Sequence, residues 1–388
     1  MPILKEALIA IALLFGLLIS PLSGTQSSFR IQSSGAVNTS GHSDLKWLHT
    51  NGTHILDEDG NTVILRGANF MGYEFNALKS RTEADYAKMA SWGFNVVRLP
   101  IAWHLIEPQP GIYSYPYLEV IDMDIRWAKK HGMYVILDMH QWNWSPHFAE
   151  GNGMPTWLVN DYAQTKKGYN QATIDFWEGL GSNGTTPSTT NPSMQNLFAS
   201  VWKMIASRYK GEPTIAGYDI LNEPPLEPLY HRRGEVMGYY QIFCQKIVDT
   251  IRSIDQKHVI LCEPWGPIIS QSISMQFPML NGINLGASFH FYHFRQNYKG
   301  DKIWLREMFD TWWGQAIKDS PWPVWVGEIG CFENVPGATQ WLKDMIDIFD
   351  ELHLGWAFWT YWKSDTYTSA ISYAVFCLKK KLLERLRQ

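Results

Sequence analysis

Eight short β-rich runs recur along the chain, most of them followed by a stretch of helical periodicity, and this alternation constrains the fold more than any other feature. The runs are VILRGANF from Val63, FNVVRLP from Phe94, YVILDMH from Tyr134, IAGYDILNEP from Ile215, HVILCEP from His258, GASFHFYHF from Gly286, PVWVGEIG from Pro323 and GWAFWTYW from Gly355. Between them, apolar residues at helical spacing predict helices over 83–92, 117–131, 194–209, 237–254 and 338–352, with Gly or Pro at their ends. Alternating strand and helix predicts an α/β chain with a parallel sheet. A doubly wound open sheet needs a Gly-rich nucleotide turn after an early strand, and the sequence has none, so the expected fold is a closed (β/α)8 TIM barrel.

The ends of the chain read differently from its middle. MPILKEALIAIALLFGLLISPLSG has a lone Lys5, an apolar run from Ala7 to Ile19 and then small residues around Pro21, which predicts a signal peptide or an uncleaved membrane anchor over 1–24. Ser, Thr, Gly and Asn dominate 25–44, a flexible tether, and the folded domain is expected over 45–388. This order predicts a secreted or cell-surface protein. A net charge of -4 gives no electrostatic case for nucleic acid, and nothing points to an obligate protein partner. Cys244, Cys262, Cys331 and Cys377 lack the C-x-x-C spacing of metal or redox sites, which leaves both disulfides and buried thiols open. Asn38, Asn51, Asn143 and Asn183 stand in glycosylation sequons.

In a parallel barrel the active site is built at the C-terminal ends of the strands. The polar residues there are Arg98, His140 with Asp138, Asn222 with Glu223, Glu263, His290 with Tyr292, and Glu328, together with Trp359. Chemistry that needs two carboxylates and no metal is glycoside hydrolysis, in which one carboxyl protonates the leaving oxygen while the other attacks the sugar or activates water. Glu223 and Glu328 are the expected pair. Hydrogen bonds from Arg98 or Tyr292 are expected to hold Glu328 ionised, as a nucleophile requires. Glu223 is expected to stay protonated in an apolar site or beside a like charge. The amide of Asn222 is placed to bond a sugar hydroxyl beside the scissile bond. No cofactor is called for.

LNEP, the H-x-Y of FHFYHF, VGEIG, RLP and DMHQ together resemble glycoside hydrolase family 5, the cellulase-type family of retaining enzymes, over roughly Leu45 to Trp362. The resemblance puts the family's arginine on Arg98, its strand-three histidine on His140, its Asn–Glu acid/base pair on Asn222 and Glu223, and its histidine and tyrosine on His290 and Tyr292. Its nucleophile falls on Glu328 and its sugar-platform tryptophan on Trp359. The family implies retention of configuration, hence carboxyls ~5 Å apart. Two other readings are a metal-dependent hydrolase using His140, His290 and His293, which lacks a compact ligand motif such as H-E-x-x-H, and a carbohydrate-binding pseudoenzyme, which would have lost a carboxylate.

The expected substrate is a β-linked glucan polysaccharide or oligosaccharide, with endoglycoceramidase-like glycolipids and β-mannosides as alternatives. IEPQPGIYSYPYLEVID, YVILDMHQWNWSP and GYDILNEPP look like the endoglycoceramidase-related branch, whereas Gln141 and Trp142 replace the HQD pattern of that branch and add an aromatic surface. Trp142 is therefore a candidate sugar-binding residue, and the 19 tryptophans suit both a core and a stacking cleft. The insertion from Glu150 to Pro192 is expected to wall the cleft, with a mobile polar tip from Gly181. The basic CLKKKLLERLRQ segment, 377–388, reads as the last barrel helix or a membrane-surface helix.

Overall fold

The computed structural model describes residues 45–78, 80–149, 151–264, 276–293, 297–331 and 336–361. The expected leader, tether, Asn38, Cys377 and basic C-terminal segment lie outside the described residues. Among the described residues no helix is long and apolar enough to cross a membrane.

A hairpin, β1 (Leu48–Asn51) with β2 (His54–Asp57), precedes the barrel and has no counterpart among the eight expected runs. The barrel strands follow as β3 (Arg66–Phe70), β4 (Val96–Ile101), β5 (Tyr134–Met139), β6 (Ile215–Asp219), β7 (Val259–Cys262), β8 (Leu285–His293), β9 (Val324–Cys331) and β10 (Gly355–Tyr361). Each lies within one of the eight predicted runs or overlaps it. All neighbours pair in parallel and β10 closes on β3, so the barrel is complete.

The expected helices form as Glu83–Ser91, Tyr115–Lys130, Met194–Tyr209, Arg233–Arg252 and Ala338–Glu351. Their starts follow from local chemistry. Thr82 and Asp85 make a reciprocal capping box, Pro116 occupies the first turn of the second helix, and the Ser193 hydroxyl accepts from Asn196 N–H. Two further helices, Lys166–Trp177 and Lys302–Phe309, are capped in the same way by Thr165 and Asp301.

Inward-facing residues stack in layers along the barrel axis. Val96, Ile136, Ala216, Val259, Leu261, Trp325 and Ala357 form an apolar plug covered by Leu48 of the hairpin. Above it the same strands turn polar two residues on, at Arg98 after Val96, Asp138 after Ile136 and Glu263 after Leu261, as a period of two requires. β9 breaks that period. Phe289 pairs with Val326 but His290 pairs with Glu328, so Gly327 is an extra residue with no partner on β8. The bulge turns Glu328, which strict alternation from Trp325 would face outward, into the barrel. Only glycine fits there, because a Cβ would meet Ser288 Oγ at 2.5 Å and His290 Nε2 at 3.2 Å.

Eight of the described tryptophans are core. Trp103, Trp144, Trp177, Trp202, Trp313, Trp325, Trp341 and Trp356 are all but fully buried, whereas Trp142 and Trp359 keep exposed surface at the C-terminal end of the barrel. Cys244 and Cys262 are buried thiols.

Candidate active site

Arg98 sits fully buried at the centre of the polar layer. Its Nη1 donates to Glu328 Oε1 at 2.8 Å and to Asn69 Oδ1 at 3.1 Å, its Nε to Asp219 Oδ2 at 3.0 Å, and its Nη2 to Asn222 Oδ1 at 3.0 Å. Asp138 Oδ1 lies 3.0 Å and Glu263 Oε1 3.5 Å from Nη2. One guanidinium therefore faces four carboxylates, and its pKa rises well above the ordinary arginine value because their charges outweigh the cost of its own burial.

Glu223 follows β6 on a left-handed backbone, φ +39°, which a non-glycine residue adopts only when its surroundings hold it there. Its N–H donates to Glu263 Oε2 at 2.9 Å, and its Oε1 accepts from His290 Nδ1 at 2.9 Å. His290 Nδ1 also lies 3.5 Å from Glu328 Oε2, which accepts a short hydrogen bond from the Tyr292 hydroxyl. The facing atoms of Glu223, His290 and Glu328 all lie within 4.8 Å of one another. One oxygen of each carboxyl thus falls within the ~5–5.5 Å of retaining enzymes and short of the ~6.5–9.5 Å of inverting ones. The three residues are also the group among the described residues that converges closely enough to hold a cation. Here their lone pairs already meet N–H and O–H donors from Arg98, Tyr292 and His290.

The electrostatics differ from expectation. Burial raises the Glu328 carboxyl above its ordinary value, the charge of Glu223 adds to this, and His290 and Arg98 offset only part of it. Glu223 is also pushed up by burial, but the hydrogen bond and charge of His290 outweigh that and leave it below the ordinary value. The two shifts thus run opposite to the expected order, Glu328 upward and Glu223 downward. The reason is His290, whose Nδ1 points at Glu223 rather than Glu328. Burial alone would strip its proton, but the charges of Glu263 and Glu328 and the bond to Glu223 hold it, raising its pKa well above that of an ordinary histidine. Carboxylates this close titrate as a set, and the set here includes His290.

His140 Nδ1–H donates to Asp138 Oδ2 at 2.7 Å, which leaves Nε2 for the cleft. Its ring stacks on Trp359 at 5.4 Å and 9°. Burial lowers the His140 pKa, but the charge and hydrogen bond of Asp138 together with the charges of Glu74 and Glu328 raise it, and the net shift is upward. Asn222 has its amide fixed by Arg98 on one side and by Gln141 O, 3.2 Å from Nδ2, on the other. Trp142 stands half-exposed at the end of β5, bridged to Asn152.

Arg98, His140, Asn222, Glu223, His290, Tyr292 and Glu328 form one connected network, Trp359 joins it through His140, and Trp142 stays outside it. Four residues earn a larger part than the sequence assigned them. Glu263 and Asp138 were visible as strand-end carboxylates, while Asn69 and Asp219 were not singled out. Asn69 Nδ2 donates to the bulged Gly327 O at 2.9 Å and so ties the Arg98 network to the turn that aims Glu328. Asp219 is pushed up to about 7, by burial first and by the neighbouring carboxylates, against the pull of Arg98.

The family model for Cellulase (glycosyl hydrolase family 5) matches residues 56–365. The chain is 30% identical to Endoglucanase B of Acetivibrio thermocellus over 239 residues, which is 56% of this chain and 35% of that protein. It is 25% identical to Endoglycoceramidase I of Rhodococcus hoagii over 343 residues, covering 80% of this chain and 67% of that one. The chain thus spans only about a third of the length of the endoglucanase it matches. Among solved structures, an endogalactoceramidase superposes with a TM-score of 0.67 at 25% identity, over 81% of this chain and 75% of the other. With most of its length matched, this chain belongs to glycosyl hydrolase family 5, the cellulase family.

Proposed function

We propose that the chain is a retaining β-glycoside hydrolase acting by double displacement, with Glu328 as nucleophile and Glu223 as acid/base. The observation that carries this is the placement of the two carboxylates within 4.8 Å of each other, with His290 facing both. In the first step a Glu328 oxygen attacks the anomeric carbon while a proton reaches the glycosidic oxygen through Glu223 Oε1, giving a glycosyl ester and a free aglycone. The Glu223–His290 hydrogen bond is the store of that proton. Once the ester forms, Glu328 no longer carries charge, and Glu223, having passed its proton to the leaving oxygen, is the base for the attacking water. Arg98 holds Glu328 in line, Asn222 offers an N–H to a sugar hydroxyl, and His140 with Trp359 forms the sugar-facing platform.

For substrate we favour a β-linked glucan, supported by the likeness to an endoglucanase and by the added aromatic surface of Trp142. The likeness to endoglycoceramidases over a larger share of the chain supports a glycolipid as the second reading. Two experiments test the chemistry. Glu328→Ala should lose turnover and regain it with azide as a glycosyl azide of inverted configuration. Glu223→Ala should lose far more activity on poor leaving groups than on activated aryl glycosides, because only the former need a proton. Equal loss on both classes removes Glu223 from the acid role. Product analysis over cello-oligosaccharides, mannans and glucosylceramide decides the substrate.

A further inference from the structure

The turn that carries Glu223 is held from outside the barrel as well as from within. Gln141, the residue after His140, is buried, and its Nε2 donates to two successive carbonyls, Asn222 O at 3.1 Å and Glu223 O at 2.6 Å. Its Oε1 accepts from Trp144 N–H at 3.1 Å, so the carboxamide cannot flip without losing three bonds. Further along the β5–β6 connection, Trp177 Nε1 donates to Pro225 O at 3.0 Å. Trp177 is itself locked into an aromatic cluster, stacked on Trp144 at 6.3 Å and 13° and edge-on to Phe176 at 5.0 Å. Carbonyls 222, 223 and 225 therefore all point at donors from this connection, while the single N–H of Glu223 points inward at Glu263.

The arrangement matters because of the backbone of Glu223. A left-handed residue with a side chain is strained relative to ordinary conformations, and relaxation of φ would redirect its Cβ and swing the carboxyl off the scissile oxygen. Glu263 restrains only the N–H side of the residue. The carbonyl side is fixed by Gln141, with Trp177 fixing the proline that follows. Trp177 lies in the insertion from Glu150 to Pro192, so that segment takes part in holding the turn.

We propose that Gln141 and Trp177 are positioning residues for the acid/base, through which the β5–β6 connection sets the direction of the Glu223 carboxyl. The proposal rests on the reading of Glu223 as acid/base. Displacements of ~1 Å cost about a hundredfold in rate, so loosening this turn should tax protonation of the leaving group and little else.

The test compares aryl β-cellobiosides that share one glycone and differ in leaving group, phenyl against 2,4-dinitrophenyl. For Gln141→Met, which keeps length but has no donor, kcat/KM on the phenyl compound should fall about ten- to a hundredfold, against less than about threefold on the dinitrophenyl compound. Trp177→Phe, which keeps an aromatic side chain but loses Nε1–H and part of the indole volume, should show the same split in milder form. Equal losses on both substrates, tracking a fall in melting temperature, would mean a merely structural role and overturn the proposal. If Gln141→Met does not fold, Trp177→Phe decides by the same criterion. Glu223→Ala run alongside separates the two claims. Should it show no leaving-group split, the acid/base reading fails and takes the positioning proposal with it; should it show the split while both positioning variants do not, the positioning proposal alone fails.

Discussion

Replacing Arg98 with leucine tests the polar layer most severely. The side chain is wholly buried, it is the cation that four carboxylates face, and it donates to Glu328, Asp219, Asn222 and Asn69 at 2.8–3.1 Å. Removing one partner of a buried ion pair costs ~3–5 kcal/mol, because the remaining charge is left desolvated. The loss depends on pH with a sign that can be worked out. Asp219 already has its pKa raised to about 7, above that of an aspartate in the unfolded chain, so it binds a proton more tightly in the fold. Such a group makes the fold less stable as pH rises from its unfolded to its folded pKa. Arg98 is what pulls Asp219 down; without it the folded pKa climbs and the window extends upward. The deficit of Arg98→Leu should therefore grow between pH 6 and pH 8, by up to about 1.4 kcal/mol per pH unit for one extra bound proton. Urea unfolding of both proteins at the two pH values measures it. A deficit below about 1 kcal/mol, or one that does not change with pH, would refute the view of Arg98 as the neutralising centre of the site.

Tyr292→Phe removes an O–H donor from Glu328, and since that donor favours the ionised form, the acid limb of the kcat/KM profile should move up by about one pH unit. An unmoved limb would mean that Glu328 does not govern it. Trp359→Ala removes the ring stacked on His140 and should weaken glycan binding about tenfold while leaving the acid limb in place, measured as KM and as an inhibitor Kd. Cys244 and Cys262 are buried, so a thiol reagent should label them only at the rate of unfolding; prompt label on either of these two in native protein, located by peptide mass spectrometry, would contradict their burial.

The barrel was legible because most of its strands are followed by a helix with turn residues between, and because a closed parallel sheet buries both faces of every strand. The hairpin Leu48–Asp57 escaped because its halves are only four residues long and mostly half-exposed, with little apolar alternation to mark them. The helix Lys166–Trp177 escaped because its buried face includes Gly168, Thr173 and Asp175, which blur the apolar spacing; the tip that follows is exposed over 183–190, whereas Phe176 and Trp177 are core. At the site, the catalytic residue types stood out at strand ends. The aim of Glu328 did not, because it depends on a bulge at Gly327 that shows only in the pairing of β8 with β9. The proton balance was equally hidden. It is set by which carboxylate His290 faces, and sequence spacing carries no information about a ring orientation.

The central claim is that Glu328 becomes a glycosyl ester during turnover. Incubation with 2,4-dinitrophenyl 2-deoxy-2-fluoro-β-cellobioside, followed by proteolysis and mass spectrometry, tests it directly. The account predicts one sugar per chain, on the peptide carrying Glu328, with products of retained configuration by proton NMR. A label on Glu223, or products of inverted configuration, contradicts it.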